Sequence, residues 1–141
     1  MTRILEFQRA VADRLNGVET LVQGGCRALA EDALDAVFQV REQLETAGGV
    51  ALVVTTPRLD RNGCAAPGAG IPCGARLDVR CVERPALNRE APSHLTALDA
   101  AALVARELDG PDFLFRGIDQ RGDERTGAVS ATASFDAAIY L

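Results

Sequence analysis

The sequence has no tryptophan, one tyrosine, one histidine and no Cys-x-x-Cys pair. Each absence removes a class of function. Without paired cysteines, Cys26, Cys64, Cys73 and Cys81 offer no structural zinc site. His94 is the one histidine, far in sequence from every cysteine and close to an expected helix start. A solvated side chain is the ordinary outcome there, so neither a Ser–His–Asp nor a Cys–His catalytic arrangement is expected. No Gly-x-x-x-x-Gly-Lys motif occurs, which removes the phosphate-cradling loop. No apolar run approaches the roughly 20 residues that span a bilayer. The opening Met1-Thr2-Arg3-Ile4-Leu5-Glu6 carries an acid and a helical period, unlike a signal peptide. The product is therefore expected to fold in a cytoplasm. The net charge of −5 lacks the basic excess of a non-specific nucleic-acid binder. It leaves room for a local basic patch, and arginine is by far the dominant cation. The carboxylate pairs Asp32/Asp35 and Glu107/Asp109 read as solvated helix surface.

What is present fits one domain over residues 1–141, with 48% hydrophobic and 25% charged residues and a core of small pieces, mainly Ala, Val and Leu. The clearest element is the stretch Val129–Leu141. Val129, Ala131, Ala133, Phe135, Ala137, Ile139 and Leu141 alternate with mostly polar residues, the pattern of a strand with one buried face. The run Val50-Ala51-Leu52-Val53-Val54-Thr55-Thr56, closed by Pro57, is continuous instead of alternating, which predicts a strand buried on both faces and inside the sheet. Arg76–Glu83 alternates and is expected to pair antiparallel with it. Phe113–Ile118 reads as a further strand, followed by a charged turn over Asp119–Thr126.

Three helices are expected. Ile4, Phe7, Val11 and Leu15 make an apolar stripe that stops at Asn16-Gly17. Leu34, Val37, Arg41 and Leu44 trace a second helix, widened by Phe38 and Val40, opened by the acids Glu31 and Asp32, and ended by Gly48-Gly49. A third runs from about Leu95 to Leu108, with Leu98, Ala102, Ala105 and Leu108 inward and Thr96 with Asp99 resembling a capping box. Val18–Val22 reads as a small strand. The order α-α-β-β-α-β-β gives an α+β fold: a largely antiparallel sheet of about four strands with three helices mainly on one face. No βαβ repeat is evident, which disfavours a Rossmann fold.

Residues 57–75 are rich in Gly, Pro, Asn and Asp and are expected to form a long hairpin loop, either a mobile spacer or a segment that touches a neighbouring subunit. Cys64 and Cys73 flank it and could approach each other, although a reducing cytosol disfavours a disulfide. Cys81 falls on the apolar phase of its strand and reads as a buried free thiol. The run Asp119–Arg125 reads as a solvated hairpin tip.

After the Arg76 strand comes Glu83-x-Pro85-x-x-Asn88-Arg89, expected as an extended exit fixed by Pro85. With the element order around it, this segment resembles the small tail-terminator or tail-completion proteins of tailed bacteriophages. The resemblance implies a structural protein and not an enzyme, without cofactor or metal. It implies a self-assembled ring, typically of six subunits, that caps the tail tube, ends its growth and presents a head or neck surface. Its partners would be the tail tube protein and the head–tail connector or neck proteins, with genomic DNA passing through the lumen unbound. No membrane is involved, and the site is the virion tail or neck after assembly in the host cytoplasm. Interface candidates on this view are Arg58, Asp60, Arg61, Glu83, Asn88, Arg89, Asp119, Arg121, Asp123 and Arg125. The alternatives are a small-molecule-binding or regulatory domain, with the 57–75 loop as a lid, and an enzyme using Cys64 or Cys73.

Overall fold

A computed structural model describes residues 3–31, 36–46, 48–61, 70–88 and 93–141. Among them the chain forms five helices and six strands. The first helix, α1 (Arg3–Asn16), buries Val11 and Leu15 on its apolar stripe, as the spacing predicts. Gln8 is buried on the same side, and its Nε2 donates to the Val54 carbonyl at 3.3 Å. Residues 18–22, expected as a strand, instead form the N-cap Val18 and most of a short helix, α2 (Glu19–Gln23). The backbone there is satisfied locally, with the Val22 N–H donating to the Val18 carbonyl, and Leu21 is the buried anchor.

The strand that the sequence reading lacks is β1 (Cys26–Ala30). It runs parallel to β2 (Val50–Val54), and α3 (Ala36–Thr46) connects them. This is one βαβ unit, contrary to expectation. Asn16 protects the outer edge of β1: its Nδ2 donates to the Ala28 carbonyl and its Oδ1 accepts from the Ala28 N–H, at 2.9 and 2.8 Å. An amide side chain thus replaces the missing strand neighbour at that residue. Leu34 and Asp32 lie outside the described residues, as do the side chains of Val37 and Phe38.

The chain enters β2 through Gly48 and Gly49, with φ of +66° and +74°. At Gly49 a side chain is blocked twice. Its conformation is left-handed, and a Cβ would overlap the Gly25 carbonyl oxygen, which accepts from the Val50 N–H. Gly49→Ala is expected to lower stability by about 2 kcal/mol or more. A denaturant midpoint equal to that of the parent would show that the turn can shift without cost.

The sheet has the order β1-β2-β4-β6-β5, with β3 (Arg58–Arg61) added beside β4. Its long members are β4 (Pro72–Glu83), β5 (Phe113–Gly122) and β6 (Val129–Tyr140). β2 is an inner strand and pairs antiparallel with β4, as expected. β6 pairs with β4 along its whole length and with β5 on its other side. Part of the expected 57–75 loop is therefore strand: β3 pairs Arg58–Arg61 with Cys73–Arg76. Likewise β5 reaches Gly122, so the turn is shorter than the charge pattern suggests.

Glu83 is followed by one helical turn, α4 (Pro85–Asn88), and not by an extended exit. Pro85 takes the first helical position, where its missing N–H costs nothing. The last helix is α5 (Ala97–Leu108). Thr96 caps it, accepting from the Asp99 N–H at 3.1 Å. Its buried stripe is Ala97, Ala100, Ala101, Val104, Ala105 and Leu108, so Leu98 and Ala102 turn outward, against the expected phase.

One core joins α1 and α5 to the inward faces of β2, β4 and β6, and includes Leu15, Leu52, Leu77, Val79, Val104 and Phe135. Val50, Leu52 and Val54 point into it. Strand alternation sends Ala51 and Val53 to the other face, where they are also buried and α3 packs against β2. The helices are therefore not gathered on one face: α1 and α5 cover one side and α3 the other. The outer face of β4, β6 and β5 carries polar residues such as Arg76, Arg80, Thr132, Ser134 and Asp136.

Candidate functional site

The candidate residues fall into three places. The first is the β5–β6 turn. Its backbone is held by the Asp123 N–H donating to the Ala128 carbonyl, and by the Arg125 N–H donating to Asp123 Oδ1 at 2.9 Å. Gly127, at φ +70°, completes the reversal. Asp123 is thus partly committed to shaping the turn. Arg121 Nε sits 3.0 Å from Asp119 Oδ2, and Arg125 is exposed. A surface pair of this kind contributes well under about 1 kcal/mol, so it leaves the arginine available to a partner.

The second place is β3. Arg58 and Asp60 face each other at 3.5 Å, both largely exposed, and Arg61 is exposed beside them. Next to it the outer sheet face carries a three-strand cluster. Asp136 on β6 contacts Arg76 of β4 at 3.4 Å and Arg116 of β5 at 3.1 Å. The alternating pattern could have flagged Asp136 as outward, but only the strand order reveals its two partners.

The third place is the Glu83–Asn88 segment, and here both side chains turn inward. Glu83 is 6% exposed and Asn88 4%. Asn88 Nδ2 donates to Glu83 Oε2 at 2.6 Å and to the Leu95 carbonyl at 2.8 Å, while Glu83 Oε1 accepts from the Ala97 N–H at 3.0 Å. The pair fastens the start of α5 to the end of β4. Glu83 fills an acceptor role at a helix N-terminus, where the backbone donors need one. Arg89 lies outside the described residues.

Polar atoms also gather away from these places. Gln43 Oε1 and His94 Nδ1 are buried with no hydrogen-bond partner among the described residues. Both side chains line a recess of about 570 Å³ together with Gly25, Cys26 and Arg27. The His94 ring packs on Gly25, where a Cβ would come within 2.6 Å of Cδ2, and the residue is half-buried. β3 pairs with residues 73–76, at the other end of β4 from this recess, so the described part of the 57–75 segment does not cover it.

Three cysteines are described, and each is a buried free thiol: Cys26, Cys73 and Cys81. Cys64 lies outside the described residues. Burial pushes the Cys26 thiol up to about 12, and burial followed by the neighbouring Cys26 pushes Cys81 higher still. Both stay protonated and poorly nucleophilic at neutral pH. Among the described residues, no group of three His, Cys, Asp or Glu side chains clusters as metal ligands, and no helix is long and apolar enough to cross a membrane.

Neither a family model nor a curated protein matches this chain. Among solved structures, a chain from the virion of a native gene transfer agent particle has the same fold. The TM-score is 0.62 at 15% sequence identity, covering 99% of this chain and 100% of that one. At that identity the likeness establishes shared architecture over the full length of both chains.

Proposed function

We propose that this chain is a structural subunit of a phage-like virion, and specifically a tail terminator: a ring that caps the tail tube, stops its polymerisation and offers a surface to the neck. The observation that supports it most is the full-length fold match to a chain of a gene transfer agent virion. The Glu83–Asn88 segment, which fastens α5 to the sheet, is the local sequence feature that agrees with this reading. On this reading the ring has six copies, its axial partners are tube and neck proteins, and the chain carries out no catalysis. The exposed residues Arg58, Asp60, Arg61, Asp119, Arg121, Asp123 and Arg125 serve the contacts between subunits, and Arg89 is proposed for the same role. Glu83 and Asn88 act from inside, by fixing the segment that leads to α5. The acidic net charge lets DNA pass a lumen without adhering.

Negative-stain electron microscopy tests this directly. Rings with a central hole are expected from concentrated protein, or at the ends of tail tubes when tubes are supplied. Single small particles in both preparations, with bare tube ends, would remove the terminator reading.

A further inference from the structure

The chain has no lysine, and five of its arginines border two adjoining recesses. Strand alternation sends Arg80 and Val82 of β4 to the outer face, beside Ser130 of β6 and Arg121 of β5. α3 lies on that same face and brings Val40, Arg41 and Leu44 to the rim. Arg84 follows the last residue of β4, and the β5–β6 turn supplies Arg125 and Thr126. One recess, of about 440 Å³, is walled by Arg41, Arg84 and Arg125. The other, of about 300 Å³, is walled by Arg80 and Arg121 and shares Val40 and Ala128 with the first.

The charges nearby do not cancel. Asp123 is the one acid among the described lining residues, and its Oδ1 accepts from the Arg125 N–H. Asp119 pairs with Arg121 at 3.0 Å, Glu124 is exposed on the turn, and Asp78 lies two residues before Arg80 on the same face. Farther along that face, Asp136 is already held by Arg76 and Arg116. The side chains of Arg41, Arg80 and Arg125 form no ion pair with a described acid. Thr126 Oγ1 accepts from the Ala128 N–H, which leaves its hydroxyl proton to donate outward, and Ser130 adds a second hydroxyl. The lining side chains are therefore mostly donors. A polypeptide would bring N–H groups of its own, for which these side chains offer few acceptors. A phosphodiester backbone brings charged acceptors and no donors, and the arginine fork pairs with phosphate bidentately.

We propose that the two recesses hold successive phosphates of DNA, without regard to its sequence. From Arg80 to Arg84 the chain advances about 13 Å at about 3.3 Å per residue. That length covers about four phosphate steps at roughly 3.4 Å of duplex axis per strand. No aromatic side chain lines either recess, so stacking on bases plays no part. The net charge of −5 repels DNA from the rest of the surface and confines the contact to this face. Phosphate contacts of this kind let a protein slide along DNA, so the binding is compatible with a lumen that DNA traverses. The inference stands on the lining of the recesses and does not depend on the ring reading.

Fluorescence anisotropy with the full-length protein and a labelled duplex of mixed sequence, about 20 base pairs long, tests it across a salt series. The parent is expected to retain the duplex at about 50 mM salt, with log affinity falling against log salt at a slope of about −3, or about 60-fold between about 50 and 200 mM. Arg41→Gln and Arg80→Gln take one exposed guanidinium from each recess, and each is expected to flatten that slope by about one. Both are checked for an unchanged melting temperature. Arg80→Lys keeps the charge and is expected to keep the slope. Arg106→Gln, on α5 across the sheet, is the distant control and is expected to bind like the parent. A parent that releases the duplex at about 50 mM salt would overturn the proposal. So would recess variants with the slope of the parent, or an Arg106→Gln variant that flattens it equally. Retention of labelled poly-glutamate in place of the duplex would also overturn it and assign the recesses to an acidic polypeptide.

Discussion

Phe135→Ala lowers the unfolding free energy by about 3–5 kcal/mol, the expected cost of emptying a fully enclosed aromatic site. Phe135 is 0% exposed and is the largest of the fully buried side chains among the described residues. It stands at the centre of an aromatic group, edge-on to Phe113 at 6.5 Å and tilted against Phe115 at 5.8 Å, with Phe7 of α1 reaching Phe113 at 5.8 Å. The rest of the core is mostly Ala, Val and Leu, held in place by a continuous sheet. Such surroundings collapse poorly into a hole, which puts the cost toward the upper part of the range. Native stability is typically about 5–15 kcal/mol, so this one change removes a large fraction of it. Urea denaturation with an unchanged slope would measure it. Leu114→Ala, at a side chain 58% exposed, is the matched control and is expected to shift stability by less than about 0.5 kcal/mol. Similar losses at both positions would mean that the aromatic group is not the centre of the core.

Asn88→Asp is the second large effect, at about 3 kcal/mol or more. Asn88 Nδ2 points at two acceptors, Glu83 Oε2 and the Leu95 carbonyl, in a buried setting. An aspartate there offers neither acceptor a proton and sets two carboxylates against each other. Glu83→Ala is expected to cost about 2–4 kcal/mol, because it strips the acceptor from the Ala97 N–H at the start of α5 and from Asn88. The double variant Glu83→Gln with Asn88→Asp should recover part of the loss, since the new amide can donate to the new carboxylate. Additive costs in that double-mutant cycle would show that the two side chains act separately.

The sequence displays some of this architecture plainly. The alternation from Val129 to Tyr140 and the unbroken apolar run from Val50 to Val54 mark β6 and β2, because strand burial writes itself into period and composition. β1 is hidden because Cys26-Arg27-Ala28-Leu29-Ala30 has neither β-branched residues nor alternation, and its parallel partner lies beyond a crossover helix. The phase of α5 is ambiguous for a related reason. Alanines at 97, 100, 101, 102 and 105 fit either side of a helix, and tertiary packing selected the stripe that exposes Leu98. The Glu83–Asn88 spacing is visible, yet Pro85 suits a first helical turn as well as an extended exit, and only the Leu95 and Ala97 backbone shows which role it serves. Arg41, Arg80, Arg84, Arg121 and Arg125 line two adjoining recesses from α3, β4, the residue before α4, and the β5–β6 hairpin, so no linear spacing reveals that grouping.

The position of β6 bears on how the chain is made. It comes after β4 and β5 in sequence but lies between them in the sheet. A ribosome therefore releases β4 and β5 with open hydrogen-bonding edges before the strand that joins them exists. From Glu83 to Tyr140 the delay is roughly 3–11 s at about 5–20 residues per second. During that interval the nascent chain carries the apolar faces of β2 and β4 without a finished core, and it is then most open to capture by another nascent copy or by a chaperone.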